Sequence, residues 1–123
     1  MRAWFGLTAL LLAAPATAQT MSAERFYQRA SALQAKGALA LLSRREIGAL
    51  TDEGKAASQR ARANQEAAVA AGRGARFCPP RRGQAALTSD ELMRVLAAIP
   101  SAERTRIDMT EVMTRIFASK FPC

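Results

Sequence analysis

Apolar residues recur at helical spacing in several separate stretches of the chain, and these stretches predict an all-α fold. The clearest stretch follows Thr88, where Leu92, Val95, Leu96 and Ile99 stand at i, i+3, i+4 and i+7. Thr88 is followed three residues later by a glutamate, which is the capping-box pattern of a helix start. No stretch alternates apolar and polar residues over a strand's length, so we expect no strand.

Two longer helices are predicted in the first half of the chain. Ser22 is the expected N-cap of the first helix, and Gly37 is its expected end. A second capping box, formed by Ser43 and Glu46, is expected to begin a long helix that ends near residues 72–74. The apolar positions of this long helix are mostly small: Ile47, Leu50, Gly54, Ala57, Ala61 and Ala68.

The segment between these two helices, residues 38–42, is continuously apolar. We interpret it as a short helix or turn buried in the core, with Leu39 and Leu42 as the core residues.

The last part of the chain predicts two more helical segments. Pro100 ends the helix that Thr88 begins, and a short turn of helix is expected over residues 101–104. Asp108 is the expected cap of a final apolar helix, which Pro122 ends. The predicted fold is therefore a small bundle of four to five helices around one core.

Residues 1–18 have the pattern of a secretory signal peptide. Arg2 supplies a positive charge, a short apolar run follows, and the segment ends in Ala-Thr-Ala. The alternative is a membrane anchor, but the run is shorter than the roughly 20 residues that span a bilayer. We expect cleavage between Ala18 and Gln19, a single mature domain over 19–123, and a periplasmic or secreted location.

Cys78 and Cys123 are the only two cysteines. In an exported protein a cysteine pair usually forms a disulfide, and this one would close a loop of about 46 residues, worth roughly 4 kcal/mol. A redox pair and a metal site are the alternatives, but the chain has neither C-x-x-C spacing nor a histidine. We therefore expect a structural disulfide that fastens the middle of the chain to its C-terminus.

The chain is strongly basic, with 18 Lys and Arg against 10 Asp and Glu and a net charge of +8. Such a charge suggests nucleic acid in a cytoplasmic protein. Predicted export excludes nucleic acid and leaves anionic lipid, wall polymer or an acidic protein as partners. Residues 72–88 are rich in glycine, proline and arginine, and we expect a loop there whose arginines face solvent and contact a partner. These arginines are Arg73, Arg76, Arg81 and Arg82.

The residue types needed for catalysis are scarce. Histidine is absent, both cysteines are expected in the disulfide, and neither G-x-S-x-G nor a phosphate-binding glycine loop occurs. The acidic pairs at 52–53 and 90–91 could act as acid and base, but their places in first turns or on exposed helix faces favour a structural role. We expect a non-enzymatic protein with no cofactor and no metal.

Several short motifs follow one another in the C-terminal part of the chain. Phe77-Cys78-Pro79-Pro80 precedes an amphipathic helix that ends Leu96-Ala97-Ala98-Ile99-Pro100. Arg104 follows, and the last helix closes with Phe121-Pro122-Cys123. Over residues 77–123 this order resembles the Tai-type family of immunity proteins, which neutralise type VI secretion amidase effectors.

The resemblance implies a small, exported, all-helical protein that binds a peptidoglycan amidase, often as a homodimer. It implies that an exposed loop or helix end blocks the catalytic cleft of the amidase. The matched positions are structural, so no contact residue is implied. Two other functions stay open, namely a basic envelope protein that binds anionic wall polymer or lipid, and a structural domain without an immunity role.

Overall fold

The computed structural model describes residues 20–80 and 87–123. The predicted leader, residues 1–18, and the loop residues Arg81 and Arg82 lie outside the described residues. Within the described ranges the chain forms five α-helices, one 3₁₀ helix and no strand, which confirms the all-α prediction. The elements are α1 (Ala23–Ala35), the 3₁₀ helix (Gly37–Leu42), α2 (Arg44–Ala70), α3 (Ser89–Ala98), α4 (Ser101–Arg104) and α5 (Met109–Lys120).

Three of the predicted helix caps are present. The side chains of Ser22, Thr88 and Asp108 each accept a hydrogen bond from the backbone N–H three residues later, at 3.2, 3.1 and 2.9 Å respectively. These bonds satisfy amides that would otherwise lack a partner in the first turns of α1, α3 and α5. The starts of these helices are therefore set by local sequence.

The capping box predicted at the start of α2 is wrong in its bonding, although the helix begins where it was expected. Ser43 is the N-cap residue, but its side chain makes no capping hydrogen bond. Its hydroxyl accepts from Lys36 Nζ at 3.2 Å instead. The carboxylate of Glu46 binds Arg29 of α1 through two hydrogen bonds of 2.6 and 2.8 Å. A tertiary ion pair has replaced the local cap.

The core lies mainly between α2 and α5. Ala57 and Ala61 of α2 are fully buried, as the small-residue face predicted. Their small side chains let the backbone of α2 come close to α5, although each buries little apolar area. Larger side chains from α1, α3 and α5 supply most of the apolar burial: Phe26, Leu96, Met109, Val112, Met113, Ile116 and Phe117.

The prediction that Leu39 and Leu42 lie in the core is wrong. Their side chains are 66% and 82% exposed. The chain turns at Gly37, whose φ of +56° suits glycine, and the following 3₁₀ helix packs chiefly on α1. Phe26 of α1 and Leu50 of α2 lie in the buried core instead. The short helical form was predicted correctly, and its burial was not.

A disulfide joins Cys78 to Cys123, with their Cα atoms 4.9 Å apart, which confirms the predicted pairing. Beside it, the backbone N–H of Cys78 donates to the carbonyl of Phe121 at 2.8 Å. The preceding residue, Phe77, is buried, and its ring centroid lies 5.2 Å from that of Phe117. The segment before α3 is therefore fastened to the C-terminal end of α5.

Gln65 of α2 holds this same segment from the other side. Its side-chain oxygen accepts from the backbone N–H groups of Arg76 and Phe77, both at 3.0 Å. Its amide nitrogen donates to the carbonyl of Phe77. One side chain thus satisfies three backbone groups of an irregular segment, and sequence reasoning gave no sign of it.

Arg104 is a buried arginine at the end of α4. Its guanidinium donates to the carbonyls of Leu96 and Ile99 at 3.0 and 2.7 Å, and to Glu24 at 2.6 Å. It also lies 4.1 Å from the ring centroid of Tyr27. α3 stops before Pro100, so the carbonyl of Ile99 has no helical donor, and Arg104 supplies one. The carbonyl of Leu96 accepts from Arg104 in addition to the backbone N–H of Ile99, which lies 3.2 Å away. The side chain therefore joins α1, α3 and α4.

Candidate functional site

An open groove of about 570 Å³ lies between α1, α2 and α3, with side chains of α5 at its base. We call it the apolar groove. Its volume falls in the range of small-molecule sites, about 300–1,000 Å³. Most of its lining residues are apolar: Phe26, Ala30, Leu33, Ile47, Leu50, Leu87, Leu92, Met93, Met113 and Phe117.

Among the described residues, the charges that line the apolar groove are both positive. They belong to Lys55 and Arg62, which stand seven residues apart on α2 with Gln59 between them. This spacing puts the three side chains on one face of the helix, along about 10 Å of its axis. Among the described residues no carboxylate pairs with either cation, and the guanidinium of Arg62 lies 5.7 Å from the ring centroid of Phe117. One edge of the groove is therefore cationic.

Space for a bound group exists beside Gly54, which also lines the groove. A Cβ added at Gly54 would meet only Met113 Cε, at 3.8 Å, which is an ordinary contact distance. The methionines in the lining, Met93 and Met113, have flexible side chains that adapt to ligands of different shape. The groove can therefore accept apolar atoms without moving the backbone.

A second feature is the set of leucines on the 3₁₀ helix, which we call the leucine ridge. Leu39, Leu41 and Leu42 are 66%, 72% and 82% exposed. Exposed cations flank the ridge in the sequence: Lys36, Arg44 and Arg45. Adjacent exposed leucines are uncommon on a monomer and often mark an interaction surface.

The arginines predicted to bind a partner do not form one cluster in the described part of the chain. Arg73 is exposed just after α2. Arg76 makes two hydrogen bonds, of 2.8 and 2.9 Å, with the carboxylate of Glu111, so its guanidinium is engaged in an ion pair within the fold. Arg81 and Arg82 lie outside the described residues. Partner binding by these four side chains stays a prediction.

One glutamate of each acidic pair considered for acid–base chemistry is engaged in an ion pair. Glu53 accepts from Arg60 at 2.8 Å, and Glu91 accepts from Lys120 Nζ at 2.9 Å. The hydrogen bond from Lys120 holds the pKa of Glu91 below its usual value. A lowered pKa keeps the carboxylate ionised near neutral pH, which suits an ion pair and not a proton donor.

The same cause lowers the pKa of three more glutamates. In each, a hydrogen bond from a cationic side chain favours the ionised carboxylate over its ordinary pKa of 4.5. The pairs are Glu24 with Arg104, Glu46 with Arg29, and Glu111 with Arg76.

We expect the stability of the protein to fall in mild acid and to change little around neutral pH. A carboxyl whose pKa is lower in the folded state stabilises the fold above its unfolded pKa, and this stabilisation is lost as the pH falls through the folded pKa. The chain has no histidine to titrate near pH 6. Urea unfolding should give a constant free energy between pH 6 and 7.5 and a decline below about pH 4.5. A stability that rises on acidification would contradict these ion pairs.

Two further features are absent from residues 20–80 and 87–123. No three His, Cys, Asp or Glu side chains there are grouped so that they could hold a metal ion. None of the helices in these ranges is both long and apolar enough to cross a membrane.

Comparison with known proteins gives no relative. The chain matches no protein-family model, no curated protein and no solved structure.

Proposed function

We propose that this chain is an exported, non-enzymatic protein that works by binding another protein, and that its partner is a peptidoglycan amidase. The observation that carries the proposal is the exposed leucine ridge. Burying one leucine side chain is worth about 1.5–3 kcal/mol, so three adjacent leucines are a large source of binding energy for a partner that covers them.

The charges beside the ridge indicate the chemistry of the partner. Lys36, Arg44 and Arg45 would meet an acidic rim around an apolar patch, which gives fast association that weakens with salt. Arg73 adds a further exposed cation beyond the C-terminal end of α2. The arginines of the loop before α3 would form a secondary contact with the partner.

Two observations support export and the immunity role. A disulfide in a small domain is typical of an oxidising compartment, as the signal-peptide pattern also predicts. The motifs that resemble the Tai-type family supply the disulfide and the buried Arg104, which hold the fold together. The leucine ridge lies outside that segment, so the proposed contact surface belongs to this chain's own N-terminal half.

The proposal predicts that polar substitution of the ridge weakens binding without unfolding the protein. The amidase is first recovered from a periplasmic extract of the source bacterium with immobilised mature protein and identified by mass spectrometry. Titration calorimetry then compares wild type with a Leu39→Gln, Leu42→Gln double variant. We expect at least a tenfold loss of affinity, since about 1.4 kcal/mol corresponds to tenfold.

The matched control is Val69→Gln, which changes an exposed apolar side chain on α2 that is not part of the ridge. It should bind like wild type. Both variants should keep their melting temperature to within a few degrees, because surface substitutions usually change stability by less than about 0.5 kcal/mol. Equal affinities for wild type and the double variant would remove the ridge from the contact surface.

A second function is favoured by the same surface. Leucines flanked by lysine and arginine also suit an anionic lipid surface, where the cations meet the headgroups. This function predicts sedimentation with anionic vesicles at low salt and release at high salt. Vesicle binding without amidase binding would select the envelope-associated role. Absence of both kinds of binding would leave a structural domain.

A further inference from the structure

We infer that the apolar groove is a binding site for a free single-chain anionic amphiphile, such as a medium-chain fatty acid. The alkyl chain would lie along Phe26, Met113 and Phe117, and the carboxylate would lie at the edge formed by Lys55 and Arg62. The apolar groove is a different surface from the leucine ridge, and its occupant does not depend on the amidase.

The shape of the groove supports an alkyl chain. Side chains from four helices line an open space of about 570 Å³, and leucine, methionine and phenylalanine make up most of its apolar lining. Sites for small ligands are mostly apolar with a few polar groups placed at one end or edge. Gly54 leaves the middle of the α2 wall without a side chain, and Met113 lies opposite it.

The charges of the groove support an anionic head. Elsewhere in the fold, arginines of α1, α2, α4 and α5 pair with carboxylates, as Arg29, Arg60, Arg104 and Arg115 do. Lys55 and Arg62 line an apolar wall with no described carboxylate bound to them. Apolar surface next to unpaired positive charge complements a molecule with an apolar tail and a negative head.

The occupant is a small amphiphile and not a peptide helix because of size. An α-helix with its side chains is about 10–12 Å across, so only part of its width would fit into a groove of this volume. An acidic amphipathic peptide is the competing occupant.

The most direct test uses methionine methyl groups as reporters. The mature chain has four methionines: Met21, Met93, Met109 and Met113. Met93 and Met113 line the groove, whereas Met109 is fully buried outside its lining. Oxidised protein with ¹³C-labelled methionine methyl groups is titrated with dodecanoate below its micelle concentration. We expect saturable shifts of the Met93 and Met113 signals, with Met21 and Met109 unchanged.

Ligand chemistry provides a second measurement. Affinity should rise with chain length from octanoate to dodecanoate, by up to about fourfold per methylene while the groove fills. Dodecyltrimethylammonium, which has the opposite charge, should bind more weakly. Replacing Lys55 or Arg62 with Glu should weaken dodecanoate binding by at least about two- to fivefold, the range of an exposed ion pair.

A groove-filling variant provides the matched pair. Gly54→Phe places a ring in the groove, and Gly48→Phe places the same ring at another open position of α2. We expect Gly54→Phe to abolish dodecanoate binding and Gly48→Phe to retain it. If Gly54→Phe does not fold, the charge variants decide the question. Binding to the amidase should survive in Gly54→Phe, so the two proposals fail separately.

Three results would overturn the inference. One is the absence of saturable shifts at Met93 and Met113. Another is equal shifts of all four methionines, which would mean unfolding or nonspecific association. The third is binding of an acidic amphipathic peptide at these methyl groups without binding of dodecanoate, which would assign the groove to a protein segment.

Discussion

Replacing Cys78 with Ser is expected to lower the free energy of unfolding by about 4 kcal/mol, the largest effect of any single substitution considered for this chain. The bond spans 45 residues of sequence, so its loss restores much conformational freedom to the unfolded chain. A domain of this size loses roughly 4–8 °C of melting temperature per kcal/mol, so the midpoint should fall by roughly 15 °C or more.

Circular dichroism melts of Cys78→Ser, Cys123→Ser and the double variant provide the measurement and its control. The three should melt together, because each removes the same bond. The bonds of Gln65 and the contact of Phe77 with Phe117 would remain in all of them. A melting temperature within a degree or two of wild type would show that these contacts hold the segment without the disulfide.

Replacing Arg104 with Ala is expected to cost about 3 kcal/mol. An unsatisfied buried carbonyl costs about 1–3 kcal/mol, and the loss of the half-buried ion pair with Glu24 and of the packing of the buried side chain adds to this cost. The carbonyl of Ile99 would lose its donor, and the carbonyl of Leu96 would keep only the backbone N–H of Ile99. The ring of Tyr27 would lose the guanidinium beside it. Lysine is a poor substitute, since its ammonium cannot match the planar fork of arginine.

The matched control is Arg106→Ala, two residues further on. Arg106 is exposed, and its guanidinium donates a hydrogen bond of 3.3 Å to the carbonyl of Ala102. Denaturant unfolding should place Arg106→Ala within about 0.5 kcal/mol of wild type. Similar losses for the two variants would show that the effect comes from removing charge and not from the buried contacts of Arg104.

Local signals predicted the helices well, because a cap or a proline acts on its immediate neighbours. Ser22, Thr88 and Asp108 cap their helices as expected, and α3 stops before Pro100. The disulfide was predictable because two cysteines allow only one pairing. These features need no knowledge of which elements pack together.

The failures share one cause, which is that tertiary partners are not visible in a local pattern. Glu46 binds Arg29 of another helix and so leaves its predicted cap. Leu39 and Leu42 look like core residues in sequence, but packing places them outside. Gln65 has no unusual sequence context, yet it binds three backbone groups of residues that lie 11 and 12 positions further along the chain.

The candidate sites were predictable to different degrees. Arg73 and Arg76 were identified from charge alone, and charge cannot show that Arg76 already binds Glu111. The apolar groove combines side chains from α1, α2, α3 and α5, so no single stretch of sequence contains it. The helical spacing of Lys55, Gln59 and Arg62, which puts them on one face of α2, was the one local signal for the cationic edge of the groove.

The measurement that tests the central proposal most directly is an assay of peptidoglycan hydrolysis by the recovered amidase, with the mature oxidised protein added in increasing amounts. The proposal predicts that hydrolysis falls to zero near one equivalent of the protein, and that the Leu39→Gln, Leu42→Gln variant requires a large excess. Full hydrolysis in the presence of a tenfold excess of wild-type protein would contradict it.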